Sequence, residues 1–227
     1  MHFQKNNVVF LLILLIGFRF SSGIKADDRI VSLPFSVDSN YLTVWNGKDY
    51  IPFFVKGTIL SIAKPGTYPG DLNVSREQYR QWFAEIKNAG FNCIRIYTLH
   101  FPHFYEELKD YNTKNPQHPL FFFQGVWLNE QLAYYYNDLY LMSDTFKTEI
   151  SQNIDCVHGR KSIKKRYGKA YGEYCSDVSK WNIGYIIGRE IYPEEILETN
   201  KRHANNHSFT GNAFSLENGS ASEIWLT

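Results

Sequence analysis

SREQYRQWFAEIKNAGFNCIRIYTL, residues 75–99, is the stretch whose reading decides the fold. Ser75 and, three residues on, Gln78 form a capping-box signature, which predicts a helix starting here. Tyr79, Trp82, Phe83, Ile86 and Ala89 recur at helical spacing, and Gly90 stands where a helix would end. FNCIRIYTL follows at once as an apolar strand. Upstream, YIPFFVKGTILSI carries another apolar strand from Phe53 to Leu60, and AKPGTYPGD is a loop by its Pro and Gly content. Strand, loop, capped amphipathic helix, Gly, strand is a βαβ unit, which implies parallel pairing with a right-handed crossover.

The pattern repeats downstream. PHFYEELKDYN reads as a helix opened by Pro102, and PLFFFQGVWL as a strand apolar on both faces, as a covered parallel strand should be. The polar-aromatic insertion NEQLAYYYNDLYLM leads to a helix from Asp144, with Phe146, Ile150, Ile154 and Val157 on one stripe. GRKSIKKRYGK reads as a solvated basic loop. NIGYIIGRE is the fourth strand, PEEILETN opens a further helix, and ASEIWLT begins another. Residues 30–50 read as an edge hairpin, with turn-forming Asp38, Ser39 and Asn40 between VSLPFSV and YLTVW.

About four βα units are thus expected over residues 51–227, preceded by a lead-in over 24–50. A closed (β/α)8 TIM barrel takes roughly 250 residues, so the expectation is a partial barrel. On strand count alone an open, doubly wound sheet is the alternative. No GxGxxG or P-loop pattern follows any of these strands, so no nucleotide and no cofactor is expected.

The 227 residues are 44% hydrophobic, enough for a sizeable core, and 24 basic against 23 acidic side chains leave a formal charge of +1. That balance gives no electrostatic case for nucleic acid. MHFQKNNVVFLLILLIGFRFSSG places a basic Lys5 before a greasy run and small residues at Ser21, Ser22 and Gly23. This is the order of a signal peptide over residues 1–23, and it implies export; an uncleaved membrane anchor is the alternative. Cys93 is expected as a buried small hydrophobe, while Cys156 and Cys175 are expected either to pair in an oxidising compartment or to remain free. No Cys or His spacing resembles a zinc site, His100 and His103 included. Asn73, Asn206 and Asn218 stand in Asn-x-Ser triplets.

In parallel α/β folds the active site lies at the carboxyl ends of the strands. Arg95, Tyr97 and His100 stand at that end of one strand; Gln124, Trp127 and Glu130 at the next; Arg189, Glu190 and Tyr192 at the fourth. Carboxylates, aromatic rings and hydrogen-bonding groups without a metal set suit a neutral polar substrate such as an oligo- or polysaccharide.

FFVKG (53–57), GFNCIRIY (90–97) and GYIIGRE (184–190) resemble the opening half of a clan A glycoside hydrolase barrel of the family 2 or family 5 type. In that clan the first strand is an aliphatic run ending in Lys-Gly, the second carries Asn-x-x-Arg, and the fourth ends in the acid/base Glu. The resemblance implies a retaining glycosidase or transglycosidase, represented here by its N-terminal part. Glu190 would be the proton donor, and Arg95 would keep the nucleophilic carboxylate ionised. The nucleophile itself is expected on a seventh strand that this sequence does not contain. Tyr97, His100, Trp127, Glu130, Arg189 and Tyr192 are the expected substrate-binding residues. Where the clan carries Asn before the acid, this chain has Arg189.

Two other readings follow from the same residues. A barrel without its nucleophile could bind carbohydrate without cleaving it, and unpaired sheet edges could be satisfied by dimerisation. Glu190 could also serve structure alone, interacting with the first turn of the helix opened by Pro193, Glu194 and Glu195.

Overall fold

The structure, a computed structural model, describes residues 34–67, 71, 74–129 and 135–227. The expected signal segment, the start of the lead-in, Asn73 and Glu130 lie outside the described residues. A three-stranded antiparallel meander comes first: β1 (Phe35–Asp38), β2 (Tyr41–Trp45) and β3 (Tyr50–Pro52). Its turns use the expected chemistry. Ser39 takes a positive φ of 52°, and Asn46 Oδ1 accepts from the backbone N–H groups of Lys48 and Asp49 at 2.8 and 2.9 Å.

The expected strand from Phe53 to Leu60 shrinks to β4 (Gly57–Ile59). Its first residues are drawn away by two competing partners. Phe53 N–H bonds to Leu42 O of the meander, and the Asn92 side chain bridges Phe54 O and Lys56 N–H at 2.9 and 2.8 Å. Those backbone groups are therefore already satisfied before the parallel ladder begins.

Helix α1 (Arg76–Asn88) starts at Ser75, whose hydroxyl accepts from Gln78 N–H at 3.3 Å. Then come β5 (Cys93–Ile96), α2 (Pro102–Lys114), β6 (Phe121–Val126), α3 (Ser143–Val157), β7 (Lys161–Ile163), β8 (Gly172–Tyr174), β9 (Asn182–Ile187) and α4 (Pro193–Arg202). The hairpin β10 (Ser208–Thr210) and β11 (Ser215–Glu217) and helix α5 (Ala221–Leu226) complete the chain. The basic stretch read as a loop is thus partly an antiparallel hairpin, β7 with β8. Cys156 and Cys175 are both free thiols, the first buried and the second exposed, and Cys93 is buried as expected. Among the described residues no helix is long and apolar enough to cross a membrane.

The principal sheet is parallel and ordered β4-β5-β6-β9, so strand order follows chain order without reversal. With crossovers of one hand, such an order puts every helix on the same face. Tyr79 and Phe83 of α1, Phe104, Tyr105 and Leu108 of α2, and Cys156 and Val157 of α3 accordingly share one core with Ile94, Ile96 and Phe122. The side-chain period of two sends Ile59, Arg95 and Phe123, in register across three strands, to the other face. Phe35 and Phe53 of the meander meet Phe121 there at ring separations of 5.2 and 5.0 Å.

Gly125 fixes how β5 leaves the sheet. A Cβ at this position would lie 2.3 Å from Tyr97 O and 2.4 Å from Ile96 O, so the two backbones approach as closely as only glycine permits. Gly125→Ala is expected to destabilise the protein by about 1–3 kcal/mol, the cost of overpacking. Urea denaturation measures it, and a loss well under 1 kcal/mol would show that the close approach can relax.

Candidate functional site

Three expected site residues converge on the face that carries no helix. Arg95 projects there from β5 with its guanidinium carbon 4.7 Å from the centre of the Tyr97 ring. Tyr97 and Trp127 meet edge to face at 6.2 Å, and both rings stay more than a third exposed (39% and 38%). Arg95 Nε is shielded from solvent, and among the described residues it has no hydrogen-bond partner. A shielded donor left without an acceptor is rare enough in native proteins to demand a reason. Together these groups make a cation stacked on one accessible ring, with a second accessible ring against the first, at the carboxyl end of the sheet.

The fourth strand contributes differently from what its sequence implies. Arg189 leaves β9 and turns back toward α4, where its side chain pairs with Glu195, each 2% exposed. The fork is bidentate, with Nη1 on Oε2 at 2.8 Å and Nη2 on Oε1 at 2.6 Å. Nε also donates to Leu128 O at 3.3 Å, joining the carboxyl ends of β6 and β9. Glu195 further accepts from the Tyr135 hydroxyl and from Tyr192 N–H, the latter at 2.7 Å. The first turn of α4, expected to interact with Glu190, instead gives its Glu195 carboxylate to Arg189, which acts as a structural tie rather than a substrate contact. Tyr192 lies under the same guanidinium at 5.1 Å with its ring half-exposed. Glu190 itself is exposed at the strand end, and among the described residues its carboxylate takes no ion-pair or hydrogen-bond partner.

His100 and Gln124 are turned away from the mouth. His100 is 1% exposed, its Nδ1 2.8 Å from the Tyr79 hydroxyl, with Tyr174 OH donating to its carbonyl oxygen. His100 shares the parity of Ile94 and Ile96, the helix-facing residues of β5, and its ring lies against Tyr79 of α1 and Phe104 of α2, not in the expected binding role. Burial, with a smaller contribution from His103, pushes its pKa down to about 3. Gln124 accepts from Tyr105 OH at 2.7 Å and donates to Asn153 at 3.1 Å within the helix-covered core.

Sequence reading missed the partners of Arg189, although Glu195 was visible in a first helical turn. It also missed Glu149, which Arg166 grips from 17 residues away. Among the described residues no three His, Cys, Asp or Glu side chains gather closely enough to hold a metal ion. No protein-family model, no curated protein and no solved structure matches this chain. The site is therefore read from its geometry.

Arg189→Met should cost about 3–5 kcal/mol, because it strands a buried carboxylate, and the double variant Arg189→Met/Glu195→Leu should recover part of that loss. Denaturant midpoints of the two variants decide it; a single-variant loss below about 1 kcal/mol would remove the tie from its structural role.

His100 gives a pH signature. The folded state keeps it neutral down to about pH 3, while the unfolded chain protonates it below about 6.5. Stability is therefore expected to fall as pH drops from 6.5 toward 3, by at most about 1.4 kcal/mol per unit from this group. Thermal unfolding of wild type and His100→Gln between these limits should show a shallower slope in the variant; parallel slopes would mean that His100 charges without unfolding.

Proposed function

We propose that the four parallel strands belong to a (β/α)8 barrel and that the protein acts on carbohydrate as a retaining glycosidase or transglycosidase. The observation that carries this reading is Arg95, a cation whose Nε is shielded and has no partner among the described residues, set against the accessible Tyr97 ring, which in turn meets Trp127. A guanidinium so placed favours the charged form of any carboxylate brought beside it. Retaining hydrolysis needs that, since its two carboxyl groups stand about 5–5.5 Å apart, one ionised and one protonated. The non-reversing strand order, with helices on one face, is what a barrel requires of a sheet whose other face becomes the interior.

In this reading Glu190 gives its proton to the glycosidic oxygen as the bond breaks, and takes one from water in the second step. Tyr97 and Trp127 stack on the apolar faces of the sugar rings. Arg95 holds the second carboxylate ionised so that it can attack the anomeric carbon.

A carbohydrate-binding protein without hydrolysis is the second reading, and Arg189 favours it. At the position where the resembled clan carries an Asn toward the sugar, the guanidinium is held by Glu195 instead. The binding rings do not depend on that contact.

Glu190→Gln in the full-length protein separates the two. Turnover of an unactivated glycoside is expected to fall about 100-fold to 10,000-fold, the usual worth of a general acid, with sugar binding retained. Unchanged turnover would sink Glu190 as the acid; no turnover by wild type with sugar bound would establish the second reading.

A further inference from the structure

Beside Trp127 the mouth continues into a cleft of about 200 Å³, lined among others by Trp127, Leu128, Thr145, Phe146, Glu149 and Lys169. Phe146 reaches across toward Gly188, whose Cβ, if present, would lie 4.0 Å from the ring, so the cleft adjoins the ends of both β6 and β9. Trp127, which meets Tyr97 edge to face, is thus shared by the cleft and the aromatic patch.

Its charged lining residues are Glu149 and Lys169, and Arg166 adds a second cation beside Glu149. Glu149 is gripped by Arg166 through both oxygens, at 2.7 and 3.1 Å, and Arg166 Nε is fixed on Ala170 O at 2.9 Å. Lys169 makes the third and longest contact with the same carboxylate, at 3.3 Å. One carboxylate against two cations leaves one positive charge in excess, and Lys169 is the member that Glu149 does not need. Its side chain is 33% exposed against 22% for Arg166, so it is also the one that a ligand can reach. Lys164 and Lys165 of the same hairpin are also exposed.

We propose that this cleft binds one acidic sugar unit, a pyranose bearing a carboxylate, with Trp127 as its stacking face and Lys169 as its ion-pair partner. The inference rests on the carbohydrate reading of the mouth and narrows the substrate to an anionic glycan. One excess charge matches a monovalent carboxylate rather than a doubly charged phosphate. The aromatic wall supplies the apolar surface that a pyranose face needs and a small free anion does not.

Titration calorimetry of the purified protein with D-glucuronate and with D-glucose, at low and at high salt, tests it. Glucuronate should bind roughly fivefold to tenfold tighter than glucose at low salt, the effect of one part-exposed ion pair, and the advantage should shrink as salt screens it. Lys169→Met should bring glucuronate down to the level of glucose without unfolding the protein, because Arg166 still covers Glu149. Lys169→Glu should reverse the preference. Equal affinity of wild type for the two sugars, or a preference that survives Lys169→Met, overturns the acidic subsite while leaving the carbohydrate reading in place. Binding of neither sugar overturns both.

Discussion

A parallel sheet whose strand order never reverses, wound by crossovers of one hand, has all its helices on one side. The rest of this structure depends on that asymmetry. In the order β4-β5-β6-β9, alternate residues of each strand have different surroundings, although the strands are mostly apolar. Ile94 and Ile96 are fully buried against three helices, while Arg95 and Tyr97 between and beyond them look the other way. An arginine in the middle of CIRIY would be ruinous in a sheet packed by helices on both faces. Here the strand pleat alone delivers it to a place where a cation can be used.

The charged groups divide by the same geometry. Glu107 of α2 is held by Arg76 and Arg80 of α1 on the helical side, where neighbouring helices are laced together at their outer rim. Arg189 and Glu195 instead tie the end of β9 to the first turn of α4 and, through Leu128 O, to the end of β6. By holding Arg189 back from the mouth, the pair leaves Glu190 as the outward-facing carboxylate of that strand end. The adjacent residues of the Arg-Glu dipeptide thus have opposite fates: one is desolvated within a network, the other is left to solvent.

Much of this is legible in the sequence itself. The capped helix at Ser75, the helix opened by Pro102, the parallel strands and the strand-end origin of Arg95, Tyr97 and Trp127 all rest on local signals: caps, glycine stops and apolar period. What escapes is whatever depends on a partner distant in sequence. Residues 53–56 look like strand, yet the Asn92 side chain and Leu42 O claim their backbone groups. The three-residue strands β7 and β8 are too short to show a period and pair across a basic turn. His100 stands at the same strand end as Arg95 and Tyr97, but it shares the parity of buried Ile94 and Ile96 and lies with them on the helical side. Glu194 and Glu195 both stand in the first turn of α4, and only the structure shows that Arg189 takes Glu195 in a bidentate pair.

The mouth gains its character from groups that no single strand supplies. Arg95 touches Tyr97, Tyr97 touches Trp127, and Trp127 forms the wall of a cleft whose far side is Lys169. Cation, two rings and cation therefore follow one another from the sheet interior to the rim. The Tyr97 ring keeps water from one side of the Arg95 guanidinium, which strengthens that cation's attraction for an anion. Arg95 Nε is shielded from solvent, whereas the Lys169 side chain stays a third exposed. On the proposed reading, positive charge on the same mouth serves chemistry in one position and selection in the other, and burial decides which.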